Sequence, residues 1–375
     1  MVFFLGGTIW GLAFTLGWVC VLMVSRFECV LAAVLHEDPP VVPQTIGFTN
    51  DMARAKFMSF VPGGVEEAEF MDNFIVGAGD GGFRVSGTVE AGSRWSLAEW
   101  ETGAVWRRGT AENTWVREYV KYPVECEDYL DGLGLPDPDD PERYEGLERS
   151  SRRVRDKGFF PSCGTNGFFS GVWYFLRGPL HVVLKDLYLR RRFFERLIAK
   201  VGEFNLRAEK NLLERGAMMI AWVDDLGYNK GTFMNPKLYE ELIFPWHKRA
   251  IDLAHKHGAF VNMHSHGNIN AIVPLLVRAG LDVLNPIGPS DNMDLGALKD
   301  RYGDRLCLQG GLSKHVGFMS NEDLRNHVKD RMRLGSPGGG FILGSEGELP
   351  YEMKQESFSA FIRMSRGYRR NTLFS

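Results

Sequence analysis

The spacing of apolar and polar positions divides the chain into an irregular first part and a strongly periodic second part. Residues 26–37 carry Phe27, Val30, Leu31 and Val34 at helical spacing, which predicts a short amphipathic helix. Pro39 and Pro40 end it, and residues 41–48 read as a first strand. Between about residues 71 and 126 the glycine-rich run from Gly77 to Gly82 separates β-prone pieces such as Phe83 to Val89. Trp95, Trp100, Trp106 and Trp115 are spaced through the same stretch. It predicts an antiparallel elaboration over one mouth of the fold.

From there the rhythm is regular. Residues 133–140 form a loop and residues 142–157 a charged helix. Strand-like runs then end at Cys163, Val223, His264, Leu284, Gln309 and Leu343. Amphipathic helical runs at 190–214, 236–257, 269–279, 295–302 and 321–334 separate most of them. Strands alternating with helices require a parallel sheet. No G-x-G-x-x-G turn follows an early strand and there is no P-loop, which argues against a doubly wound nucleotide fold. The polar candidates sit at the C-terminal ends of several different strands. That is the distribution of a (β/α)8 TIM barrel, an α/β fold whose active site lies at that face.

Residues 2–25 contain no charged side chain and are rich in Phe, Leu, Val and Trp. Two readings stand for residues 1–24: a membrane anchor, or a start placed upstream of Met23. Residues 25–375 would then be the barrel, cytoplasmic unless the anchor is real. The 375 residues carry 44 basic and 47 acidic side chains, so no field favours nucleic acid. Five scattered cysteines without a C-x-x-C pair exclude a disulfide framework and a cysteine-rich zinc module.

Alternation along Val261 to His266 places Asn262, His264 and His266 on one face of a strand end. Two imidazoles so spaced can share a metal ion, or can simply be hydrogen-bonded. Glu346, on a Gly-flanked turn after the last strand, would complete a set of two histidines and a carboxylate with an open position, as in catalytic zinc sites. Glu348 competes with it. Met218 to Asp225 reads as a buried strand ending in two acids, Asp224 and Asp225. Only one can point inward, and Asp225 continues the small-residue face. It is the first candidate, with Asp224 the second, to hold substrate, act as base or orient a histidine; the alternative is that these acids satisfy backbone donors. Tyr228 and Asn229 follow as candidate substrate contacts, with Asn262. Asn235 and Pro236 form a helix start.

Asp224-Asp225-x-Gly227, Asn235-Pro236-x-x-Tyr239, Pro245, Lys248, His264-Ser265-His266-Gly267-Asn268 and Gln309-Gly310-Gly311-Leu312 together resemble the uroporphyrinogen decarboxylase superfamily. The resemblance runs from about residue 25 onward, and it implies the same barrel. Its corrinoid-linked methyltransferases use zinc in a His-x-Cys-Gly site with a distant Cys. Here His266 and Glu346 stand at those Cys positions. The resemblance therefore implies a metal-dependent methyltransferase or demethylase that moves a methyl group from a small methylated substrate to a corrinoid (methylcobalamin chemistry) on a partner protein. It also allows a homo-oligomer. The runner-up is a metal-free decarboxylase of the porphyrinogen type, although Gln44 to Asp51 lacks the paired arginines that would grip several carboxylates. A binding barrel without catalysis is the third reading.

Overall fold

In the computed structural model, residues 24–61, 63–90, 95–109 and 117–369 are described. Eight strands form one curled sheet: β1 (Gln44–Thr45), β2 (Ile75–Asp80), β3 (Phe160–Asn166), β4 (Met219–Val223), β5 (Phe260–His264), β6 (Val283–Ile287), β7 (Cys307–Leu312) and β8 (Phe341–Ser345). Their order is β1-β8-β7-β6-β5-β4-β3-β2, every pair parallel. The seam between β1 and β2 closes through a backbone bond from Phe74 N–H to the Gln44 carbonyl (2.8 Å). The Asn73 amide adds two more, accepting from Ile46 N–H and donating to the Ile46 carbonyl, both at 2.9 Å. A side chain here stands in for a ladder that β1 is too short to complete. This is the TIM barrel expected from the alternation of strands and helices.

Each strand changes character along its inward row. Phe160, Met219, Val283, Cys307 and Ile342 form an apolar bottom layer, sealed by Cys29, Val30, Ala33 and Val34 of the helix Arg26–Val34. Two residues further along each strand stand Ala221, Asn262, Asn285 and Gln309, with Asn262 the cross-strand partner of Ala221 and Asn285 that of His264. Above them stand Val223 and His264. Because inward positions recur every second residue, this gradient puts a dry plug at one end and polar groups at the other.

Two expectations change in the structure. The antiparallel elaboration is narrower than residues 71–126: its four strands are Val85–Glu90, Trp95–Trp100, Val105–Gly109 and Arg117–Lys121. Ile75–Asp80 belongs to the barrel, where it pairs in parallel with β3. Its Ile-Val-Gly-Ala-Gly-Asp sequence has too little side chain to look like a strand. The helix expected over 236–257 is two helices, Pro236–Leu242 and Phe244–Lys256, because Pro245 offers no N–H to continue the first. No helix among the described residues is long and apolar enough to cross a membrane. The apolar segment 1–24 falls, but for Val24, outside the described residues.

One buried acid belongs to the wall and not to the mouth. Glu209, on the helix Arg191–Glu214, is fully buried and accepts from Trp222 Nε1–H at 2.7 Å, while its Oε2 has no partner. Burial pushes this carboxyl up to about 8. The unfolded chain ionises near the ordinary value of 4.5, so the folded state binds the extra proton and stability falls as pH rises between the two values. Glu209→Gln removes that slope. Its stability relative to the parent should rise by about 3 kcal/mol between pH 5 and pH 8, read from urea midpoints at the two pH values.

Candidate functional site

The inward row of β5 runs Phe260, Asn262, His264 and continues to His266, just past the strand. Its polar members are not left bare, because buried polar groups without partners are costly. Asn262 Nδ2–H donates to Gln309 Oε1 (2.9 Å), and Asn285 Nδ2–H donates to Asn262 Oδ1 (2.5 Å). His264 Nδ1 lies 2.8 Å from Asn285 Oδ1. Asn262, expected to touch substrate, therefore spends its amide inside the wall.

His264 and His266 meet edge to face, ring centroids 4.6 Å apart. Their surroundings drive them in opposite directions. Burial, then the neighbouring His266, lowers the pKa of His264. Asp291 raises that of His266, against burial, and the charges of Asp225 and Glu346 add to the rise. The Asp291 carboxylate is 3.8 Å from His266 Nδ1, an ion-pair distance longer than a hydrogen bond. Asp291 also accepts Gly267 N–H (2.9 Å), and His266 in turn holds its carboxyl below the ordinary value. Asp225 points to this side, as parity requires, and its Oδ1 accepts His266 N–H at 2.9 Å. The two imidazoles are thus driven apart in basicity, the separation that acid–base chemistry uses.

The expected metal set is not assembled. Glu346 is 5% exposed, and its oxygens accept Ser290 N–H (2.8 Å), Ser290 Oγ–H (2.6 Å) and Lys314 N–H (3.0 Å). Among the described residues no three His, Cys, Asp or Glu side chains are grouped to hold a metal ion. His264, His266 and Glu346 do not fit the three-ligand zinc set, because the carboxylate staples two loops together. Activity should accordingly survive dialysis against a chelator; loss restored by zinc would return Glu346 to the ligand role.

Asp224 also has a different task from the catalytic one proposed for it. Fully buried, it accepts the N–H groups of Phe168 (3.1 Å), Phe169 (3.2 Å) and Ser170 (2.7 Å), and His247 Nε2–H at 2.7 Å. Tyr239 O–H bonds the other nitrogen of that imidazole at 2.9 Å. Facing away from the mouth, Asp224 ties strand β4 to the outer helices. Tyr228 and Asn229 lie exposed on a hairpin, Gly227–Tyr228 with Gly231–Thr232, at the rim above the histidines. That hairpin rests on Gly267, where φ is +92° and a Cβ would lie 2.1 Å from Gly227 C. Only glycine fits there.

Asp80 and Asp291 carried no sequence signal strong enough to single them out, and Glu348 entered only as a competitor of Glu346. Asp80 ends β2, exposed to the mouth, and accepts Gly82 N–H at 2.6 Å, with partial desolvation by the surrounding atoms raising its carboxyl. Glu348 reaches over Gly47, where a Cβ would meet its Oε1 at 2.7 Å. The Glu348 side chain still reaches solvent, but the crowd of atoms around the mouth pushes its carboxyl up to about 7. Asp80 could have been found as the acid closing a short apolar run; Asp291 could not, being an ordinary loop residue. Gly77, in the middle of β2, is exposed, and a Cβ on it would meet nothing within 4 Å. The barrel is therefore open beside β2, and Gly77→Val should fill that space. We expect at least a tenfold rise in KM, with a thermal midpoint within about 3 °C of the parent, since valine suits a strand.

Comparison with known proteins agrees with this architecture. A sequence model of the uroporphyrinogen decarboxylase (URO-D) family matches residues 169–368. Uroporphyrinogen decarboxylase of Myxococcus xanthus (strain DK1622) is 25% identical over 235 residues, 61% of this chain and 65% of that enzyme's length. Its counterpart in Aliivibrio salmonicida (strain LFI1238) is 20% identical over 251 residues, 64% of this chain and 68% of the other. Among solved structures, a methyltransferase from Methanosarcina mazei superposes with a TM-score of 0.65, covering 92% of this chain and 99% of its own, at 16% identity. At that identity the likeness is one of fold.

Proposed function

The chain belongs to the uroporphyrinogen decarboxylase family, and from that premise we propose that it is a methyltransferase-type enzyme removing a methyl group from oxygen or nitrogen of a small substrate. The observation that carries this reading is the pair of contacting imidazoles at the C-terminal end of the barrel strands, His264 against the neutral Asn285 and His266 against the Asp291 carboxylate, surroundings that drive their pKa values in opposite directions. His266, kept protonated by Asp291, donates to the heteroatom X as the methyl–X bond breaks and its electron pair moves onto X. His264 offers an unprotonated nitrogen that accepts a hydrogen bond from the substrate and orients it. Asp225 holds His266 in place through its backbone N–H. The expected acceptor is a reduced corrinoid carried by a partner protein, which supplies the nucleophile for the methyl carbon. No step passes through a metal ion.

Porphyrinogen decarboxylation is less well supported. The only arginine close after the Gln44–Asp51 stretch is Arg54, whose Nε donates to Glu67 at 2.5 Å. A substrate bearing several carboxylates would need free guanidinium groups at the mouth. The test uses the purified chain with cob(I)alamin as acceptor and a panel of O- and N-methylated small molecules. Consumption of cob(I)alamin with one donor, slowed about a hundredfold or more by His266→Ala, is the expected result. Conversion of uroporphyrinogen to a decarboxylated product, with no methyl transfer from any donor, would overturn it.

A further inference from the structure

The three carboxamides that line the barrel wall form a directed chain ending on His264. Asn262 gives its N–H to Gln309, Asn285 gives its N–H to Asn262, and the remaining oxygen of Asn285 faces His264 Nδ1 at 2.8 Å. A carboxamide donates only from nitrogen and accepts only at oxygen, so the orientation of one member dictates that of the next. Reversing all three together would keep the count of bonds between them. One neighbour distinguishes the two directions. The Met263 carbonyl lies 3.5 Å from Asn285 Nδ2, and in the reversed arrangement it would face the Asn285 oxygen, acceptor against acceptor.

We propose that Asn285 is a positioning residue for the site: as the end of this chain, it fixes His264 in the tautomer that carries its proton on Nδ1 and leaves the Nε2 lone pair for substrate. The device uses strand register alone. His264 and Asn285 are cross-strand partners, as are Asn262 and Val283, so Asn285 sits beside both inward residues of β5. Gln309, one strand further round, anchors the far end. The chain carries no charge, so it sets the direction of a hydrogen bond without adding a charged group beside the ring. This differs from the usual carboxylate partner of an active-site histidine, which would fix the same tautomer but stabilise the imidazolium as well. The inference rests on His264 facing substrate as proposed above.

The test is 15N–1H NMR of the full chain labelled at histidine nitrogens, with the His264 signals assigned by their loss in His264→Gln. The expected spectrum at neutral pH has a protonated Nδ1 and an unprotonated Nε2. Asn285→Leu removes the acceptor, so the protonated nitrogen should shift toward Nε2; kcat should fall about 10- to 100-fold with KM little changed. Gln309→Glu still accepts from Asn262 and should keep the tautomer, which separates loss of the chain from general damage to the wall. A parent spectrum with the proton on Nε2, or an Asn285→Leu spectrum identical to the parent, overturns the proposal. Because the tautomer is read without turnover, it can hold even if no methyl transfer is found. Equally, methyl transfer with the opposite tautomer would defeat this inference and leave the activity standing.

Discussion

Asp224→Ala is expected to lower folding stability by about 4 kcal/mol or more, the largest stability effect of any single change considered. The carboxylate is fully buried and accepts four donors: three successive backbone N–H groups at Phe168, Phe169 and Ser170, and His247 Nε2–H. Each bond made is worth only about 1 kcal/mol net, but each buried donor left bare costs about 1–3 kcal/mol. Alanine strands all four at once, in a region where Gly167 already packs so closely that a Cβ would lie 2.1 Å from the Val223 carbonyl. Asn keeps one acceptor oxygen but turns an N–H₂ toward donors, so Asp224→Asn should recover only part of the loss. Urea unfolding of the three proteins measures this. A cost below 1 kcal/mol for the alanine variant would remove Asp224 from the framework and reopen a role in the chemistry.

His266→Ala is expected to lower kcat by about 10²- to 10⁴-fold, the range for loss of a positioned general acid, with stability little changed because the side chain is 44% exposed. The pH profile carries the stronger evidence. Activity needs His264 unprotonated and His266 protonated. The pKa of the first is lowered from 6.5 by burial and by its neighbour; that of the second is raised from 6.5 by Asp291. The rate should therefore be bell-shaped, rising through the lowered His264 value on the acid side and falling through the raised His266 value on the alkaline side. The groups facing His266 are Asp291 after β6, Asp225 after β4, Glu346 and Glu348 after β8, and His264 on its own strand. Glu348 is itself pushed up from the ordinary carboxylate range and would add to the middle of the profile, so the variant that isolates the alkaline limb is Asp291→Asn. It keeps an acceptor for Gly267 N–H while removing the charge, and it should move that limb to lower pH with the acid limb unchanged. An alkaline limb that stays in place would show that His266 is not the proton donor.

The amino-acid sequence determined the barrel and the rows of its wall. The two-residue period of a strand puts Asn262, His264 and His266 on one side whatever they touch, and it separates Asp225 from Asp224. The gradient from Met219 to Val223 and from Phe260 to His264 likewise follows from which side chains can be buried dry. β2 escaped the same reading because its two glycines leave no pattern: Gly77 leaves space free on the inner side, and Gly79 makes room for Leu147 on the outer side.

Only the tertiary structure decided which of these groups meet. Glu346 finds Ser290 and Lys314 instead of the histidines. Asp291 finds His266, Asn285 finds His264, and Asp224 finds His247 on an outer helix. Each of these pairs joins different strands or helices, and its geometry depends on strand register and loop path. Local periodicity fixes the face a side chain occupies. The partner it finds there depends on how the sheet closes and on which neighbouring donors and acceptors would otherwise be left buried and unbonded.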